Sequence, residues 1–147
     1  MTQTAPAPRP VTVRCPFCTK LNRVDLNRIS NRPKCAQCGR PILLDRPLTA
    51  TEQDFDETIR TSSVPVLVDF YADWCGPCKM MAPAVETLAR ESVGRALVAK
   101  LDTDHAQRVA SRFQIRGIPT SIVFKNGREV KRQTGAVPLA TLRGMLT

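Results

Sequence analysis

Three Cys-x-x-Cys pairs account for all six cysteines of the chain. Their surroundings point to two different chemistries. Cys75 and Cys78 lie in Trp74-Cys75-Gly76-Pro77-Cys78-Lys79, directly after the apolar run Val64-Pro65-Val66-Leu67-Val68-Asp69-Phe70. Cys15/Cys18 and Cys35/Cys38 stand upstream in a basic, Pro-rich segment, with sixteen residues between the pairs. The first arrangement suits thiol–disulfide exchange. The second has the spacing of an all-cysteine tetrahedral metal site.

In the redox reading, Cys75 sits where a buried strand ends and a helix begins. Cys78 follows one helical turn later, where side chains are roughly 5–6 Å apart, within reach of a disulfide. Free N–H groups and the partial positive charge at a helix N-terminus favour a thiolate at Cys75. Cys78 is expected to lie deeper and to act as the resolving thiol. Gly76 lets a partner backbone approach, and Pro77 fits an early helical position.

Four thiolates of Cys15, Cys18, Cys35 and Cys38 would fill the coordination sphere of one Zn2+, leaving no open position, so the site is expected to be structural. Iron of the rubredoxin kind and a pair of disulfides stay open as alternatives. Gly39 fits the tight turn after the last ligand.

Length and charge divide the chain in the same place. Of 147 residues, the first 48 hold nine Lys/Arg against two Asp/Glu, out of a net charge of +9. A segment of about 40 residues seldom folds without a metal or disulfides, whereas about 100 residues bury a core of their own. The expected domains are a flexible tail at 1–13, a four-cysteine module at 14–41, a linker at 42–48, with the first strand of the next domain as the alternative for it, and a larger domain at 49–147. The basic segment is a solvated face or a surface for an acidic partner. Phe17 is its only aromatic residue, which argues against single-stranded nucleic acid. Met1 to Pro10 has no apolar stretch, so neither a secretory leader nor a membrane span is expected, and a reducing, cytoplasmic setting follows from the cysteine usage.

The positioning elements are legible from periodicity. Thr49-Ala50-Thr51-Glu52 is a capping-box pattern before Phe55 and Ile59 at helical spacing. Val66 to Ala72 predicts a buried strand. Cys78 to Ser92 predicts a helix with Met81, Val85 and Leu88 on one face and Pro83 interrupting it. Ala96 to Leu101 predicts a second strand and His105 to Phe113 a helix. Asn126-Gly127 between two β-rich runs predicts a hairpin, and Leu139 to Leu146 a last helix. The order implies an α/β fold, a mixed sheet with helices on both faces.

Val68 to Met80, with Val98-Ala99-Lys100-Leu101-Asp102, Ile115 to Thr120, Phe124-Lys125-Asn126-Gly127 and Gly135-Ala136, resembles the thioredoxin family over residues 48–147. The resemblance implies a thioredoxin fold and a protein-disulfide reductase. Asp69 matches the family's buried carboxylate, which exchanges a proton beneath the cysteines, and Lys100 the lysine beside it. Pro119 matches the cis-proline facing the disulfide, and Pro83 the helix-kinking proline. Trp74, Ile118, Gly135 and Ala136 match the rim that docks substrates. Tyr71 stands where many members carry tryptophan. With the N-terminal module, nearly the whole chain resembles the zinc-containing bacterial thioredoxin 2 group. That group implies a flavoprotein thioredoxin reductase and disulfide-bearing client proteins as partners, a role in oxidative stress, and no cofactor in the redox domain. A monomer is expected. The rival function is a zinc-module binding device, for nucleic acid or one client, on a thioredoxin scaffold. His105, the only histidine, is expected at the surface, and Met80 and Met81 at the core and its edge.

Overall fold

A computed structural model of the chain describes residues 6–147, and the start of the expected tail, Met1 to Ala5, lies outside the described residues. A two-stranded antiparallel sheet comes first, β1 (Pro10–Arg14) against β2 (Leu21–Asp25). A 3-10 turn, Leu26–Asn31, follows, capped by the Asp25 carboxylate on the Asn27 N–H at 3.0 Å. The five-stranded sheet then forms from β3 (Leu48–Ala50), β4 (Val66–Tyr71), β5 (Leu97–Asp102), β6 (Thr120–Lys125) and β7 (Arg128–Thr134), in the order β3-β5-β4-β6-β7. β3, β5 and β4 run parallel, and β6 and β7 are antiparallel.

Among the described residues four α-helices complete the fold: α1 (Phe55–Arg60), α2 (Gly76–Glu91), α3 (Gln107–Arg112) and α4 (Leu139–Met145). β4 is covered on both faces, which is why five of its six residues are buried and the run is continuously apolar. On one face Leu67, Val98 and Val123 pack against Met81, Val85 and Leu88 of α2 and Leu142 of α4. On the other, Val66, Val68 and Phe70 pack with Phe55 and Ile59 of α1 and Val109 of α3. The mixed sheet with helices on both faces is the thioredoxin fold expected from the element order.

The β6–β7 hairpin turns through Asn126 (φ 54°) and Gly127 (φ 78°), the left-handed pair of a type I′ turn. A Cβ at Gly127 would lie 2.9 Å from the Arg60 side chain, so glycine serves both conformation and space there.

Three local expectations change. The tail is not free to Thr12-Val13: from Pro10 onward it is strand β1, and Val11 and Val13 are 0% and 1% exposed. Both belong to the same apolar cluster as Phe55, Ile59 and Phe70, so the small sheet shares the core of the larger domain. Burying a valine stabilises by roughly 1.5 kcal/mol or more, enough to order a short strand. The Ser63 N–H donates to the Pro10 carbonyl at 2.9 Å, and Arg14 pairs with Asp54 at 3.6 Å. Second, the capping box does not form at Thr49. That residue pairs with Lys100 in the sheet, and the Asp54 carboxylate instead accepts the Thr51 N–H at 2.7 Å. Third, the linker joins the core at its start, where Ile42 is buried, and leads at Leu48 into β3, the first strand of the larger sheet, as in the alternative for this segment.

Candidate active site

β4 delivers the chain to Ala72, and a short turn brings Cys75 to the N-cap of α2. The Cys75 sulfur accepts the Cys78 N–H at 3.2 Å, the contact that stabilises negative charge on a capping atom. Pro77 occupies the first turn, where its missing N–H costs no hydrogen bond. Cys75 and Cys78 are joined as a disulfide, with Cα atoms 5.3 Å apart. Cys75 is 3% and Cys78 5% exposed, so the expected difference in depth is not seen. Their neighbours separate them: the Cys75 sulfur lies 3.7 Å from the Ile118 carbonyl, whereas Cys78 is part of the lining of a cavity between α2 and the sheet.

That cavity, about 110 Å3, is shared by Cys78, Asp69, Lys100 and Tyr71. Asp69 is 2% exposed, and its Oδ1 has no hydrogen-bond partner. Burial pushes its pKa up to about 6, against the opposing pull of the Lys100 charge. Asp69 and Lys100 are register partners on β4 and β5. Among the described residues they form no ion pair; the Lys100 ammonium lies 4.3 Å from the Tyr71 ring centroid instead. A carboxylate that is buried, unpaired by lysine and on the same cavity as a cysteine can take and return a proton near neutral pH.

Above the pair, the Ile118–Pro119 peptide is cis, and the Gly135 N–H donates to the Pro119 carbonyl at 2.8 Å. This bond ties the Gly135-Ala136 corner to the Ile118-Pro119 loop. Ile118 packs on Cys75, Cys78 and Ala72. Trp74 is 70% exposed, and its indole N–H donates to Asp104 at 2.9 Å. Asp104 is absent from the sequence expectations, because a contact across thirty residues leaves no periodic signal. His105 is exposed, as expected. Its hydrogen bond to Asp102, at 2.9 Å, holds its pKa above the ordinary histidine value. Met81 is buried and Met80 is exposed.

The other four cysteines converge from two turns. Thr19 at φ 69° and Gly39 at φ 75° close the turns after Cys18 and Cys38. The four sulfurs lie within 4.8 Å of one another, with Cys15–Cys38 at 3.7 Å and Cys18–Cys35 at 3.4 Å. Those separations are far beyond a sulfur–sulfur bond of about 2.05 Å. They match the roughly 3.8 Å edge of a tetrahedron with about 2.3 Å Zn–S bonds. The donor set therefore fits a Zn2+ ion. Asn22, 7% exposed, donates to the Cys35 sulfur at 3.4 Å and accepts the Ala36 N–H at 2.9 Å. The Cys38 N–H, then Asn22 and the Gln37 N–H, bring the Cys35 thiol down to about 6, so it favours the thiolate a metal needs.

Comparison with known proteins agrees with this division. The thioredoxin family matches residues 46–147, and a zinc-ribbon family described as thioredoxin 2, N-terminal, matches residues 14–40. Thioredoxin C-3 of Corynebacterium nephridii is 37% identical over 132 residues, covering 90% of each chain. Thioredoxin 1 of Chlorobaculum tepidum is 48% identical over 91 residues, 62% of this chain and 90% of its own. The solved structure of a mutant thioredoxin from Halobacterium salinarum NRC-1 superposes with a TM-score of 0.63 at 40% identity, over 71% of this chain and 91% of its own. A disulfide capping a helix, in a chain with these relatives, makes this protein a thiol–disulfide oxidoreductase, a protein-disulfide reductase of the thioredoxin family with the zinc-ribbon extension of the thioredoxin 2 group.

Proposed function

We propose that the protein reduces disulfides of client proteins in the cytoplasm with Cys75 as nucleophile and Cys78 as resolving thiol, and that it belongs to oxidative-stress defence. The observation that carries the role assignment is the different surroundings of the two cysteines, Cys75 against the Ile118 carbonyl and Cys78 on the lining of the cavity it shares with Asp69. The Cys75 thiolate attacks one sulfur of the client disulfide; the other sulfur leaves as a thiolate and takes a proton. Cys78 then gives its proton to Asp69 and attacks the Cys75 sulfur of the mixed disulfide. The client's second thiolate leaves, accepts the proton, and the Cys75–Cys78 disulfide remains. Two electrons have passed to the client. A flavoprotein thioredoxin reductase returns two electrons and completes this electron-transport cycle. Lys100 tunes Asp69 by its charge. Trp74, Gly76, Pro77, Ile118, Pro119, Gly135 and Ala136 form the client rim, with the client backbone extended along the Pro119 loop.

Cys15, Cys18, Cys35 and Cys38 hold one Zn2+ per chain, which braces the two turns and supplies no chemistry to the exchange. Under peroxide the same four thiolates can give up electrons in pairs, forming disulfides and releasing the ion. Exposed Cys38 is the point of entry, because Cys15 and Cys35 are buried. The chain acts as a monomer. The test is insulin reduction coupled to NADPH and a thioredoxin reductase, with zinc followed by a chromogenic chelator as peroxide is added. Turnover that survives Cys75→Ser would remove the assignment.

A further inference from the structure

A groove of about 580 Å3 lies between the four-cysteine module and Val93, outside the residues of the rim. Its apolar wall is Ile29, Ile42, Leu43, Leu44 and Val93. Leu43 is 40% exposed on this wall. Arg32 and Lys34 line the same groove, are exposed, and form no ion pair among the described residues. The one acid on the lining, Asp45, is already neutralised by Arg46 at 3.0 Å. Exposed Arg28 adds charge nearby along the chain. The groove is thus greasy inside and cationic at its edge.

We propose that this groove is a second docking site for client proteins, which takes an acidic segment carrying branched apolar side chains. The inference rests on the client-reduction reading above and adds where clients are held. Charge complementarity selects the occupant: carboxylates meet Arg32 and Lys34 while leucine-like side chains cover Leu43 and its neighbours. A nucleic acid fits less well. The wall is aliphatic, and the one aromatic ring of the module, Phe17, is covered by the Arg40 guanidinium at 4.5 Å. Val93 stands just beyond the C-terminus of α2 and Cys75 just before its N-terminus. The sixteen residues of α2 between them span roughly 24 Å at 1.5 Å per residue. A client that engages both places is held by two attachments, so its disulfide reaches Cys75 at a raised local concentration.

The experiment uses the full chain with zinc bound and a fluorogenic disulfide peptide. The peptide is joined through about 20 Gly/Ser residues, enough to span roughly 25 Å, to the segment Asp-Leu-Glu-Leu-Leu-Glu. A control carries Ser in place of each Leu. The Leu-tagged probe should show a KM about tenfold lower at unchanged kcat, with the advantage shrinking as salt is raised. Leu43→Asp, and separately Arg32→Glu with Lys34→Glu, should erase the advantage while leaving zinc content and reduction of the untagged probe intact. The labelled tag alone, which holds no disulfide, is also titrated by fluorescence anisotropy, so docking is read separately from reduction. Binding of the tag that both variants abolish supports the groove. Equal KM for the two tags, or an advantage that survives both variants, overturns it. Salt-dependent binding of a mixed-sequence single-stranded oligonucleotide with no binding of the tag also overturns it, in favour of a nucleic-acid face.

Discussion

The Cys75/Cys78 pair and the Cys15/Cys18 and Cys35/Cys38 pairs share a spacing and little else. Cys75 caps a sixteen-residue helix, and its nearest sulfur is the one a turn further along that helix. In the module the sulfurs in hydrogen-bonding contact belong to opposite turns, Cys15 to Cys38 and Cys18 to Cys35. A helix N-terminus lets a pair face itself and close, and two facing turns make each pair need the other. Surroundings differ as well. Cys78 opens onto a buried acid with a raised pKa, while Cys35 is held by N–H donors and no acid. Two residues between cysteines therefore fix reach, and the elements on either side decide whether the sulfurs exchange or stay.

The largest effect should come from breaking the first pair. Cys75→Ser should abolish multiple turnover of insulin, and Cys78→Ser should accumulate mixed disulfides with clients, seen as mass-shifted adducts. Full turnover by Cys78→Ser would reverse the roles of the two cysteines.

Breaking the second group should act on stability first. Cys35→Ser should release the zinc and loosen β1 and β2. Because Val11 and Val13 share the core of the larger domain, that domain should feel the loss too. About 2 kcal/mol, the scale of one or two partly exposed valines, lowers Tm by roughly 8–16 °C in a domain of about 100 residues. Calorimetry on protein with and without zinc measures it. An unchanged transition for the larger domain would show that the module folds independently.

Asp69 sharpens the contrast, because it should cost stability where the module provides it. Its folded pKa of about 6 lies above its ordinary value of 3.8. The folded state then holds the proton more tightly than the unfolded chain. Stability is full below about pH 4, falls as pH rises to about 6, and is flat beyond. Asp69→Asn should therefore be more stable than the parent at about pH 8, by up to roughly 3 kcal/mol, with no gain at acid pH. The same variant should exchange disulfides more slowly near neutrality. Identical pH–rate profiles for variant and parent would take Asp69 out of the mechanism.

The smallest effect belongs to His105. It is exposed and bonded only to Asp102 at the surface, so His105→Gln should leave kcat/KM on insulin within about twofold of the parent, the usual scale of an exposed substitution. A larger loss would bring His105 and its neighbour Asp104, the Trp74 partner, into client binding.

Much of this was legible in the sequence where one local pattern sufficed. The apolar run of β4, the helix after Cys75, the Asn126-Gly127 turn and the four metal-spaced cysteines each carry their signal within a few residues. β1 was hidden because Pro8 and Pro10 mark the segment as irregular, and the partner that buries Val11 and Val13 lies some forty residues downstream. Thr49 fits a capping pattern and a strand equally well; only pairing with Lys100 decides. The equal burial of Cys75 and Cys78, the Trp74–Asp104 bond and the Tyr71–Lys100 stack depend on long-range contacts, and no periodicity announces them.

The central claim is that one pair changes partners and the other four cysteines do not. The direct measurement is differential alkylation with mass spectrometry on zinc-loaded protein, sampled through insulin turnover, with zinc titrated in parallel. Only Cys75 and Cys78 should alternate between labelled and protected, while Cys15, Cys18, Cys35 and Cys38 stay protected by metal and zinc holds at one per chain. Redox labelling of the four module cysteines in step with turnover, or zinc loss at client concentrations that merely cycle Cys75 and Cys78, would contradict the account.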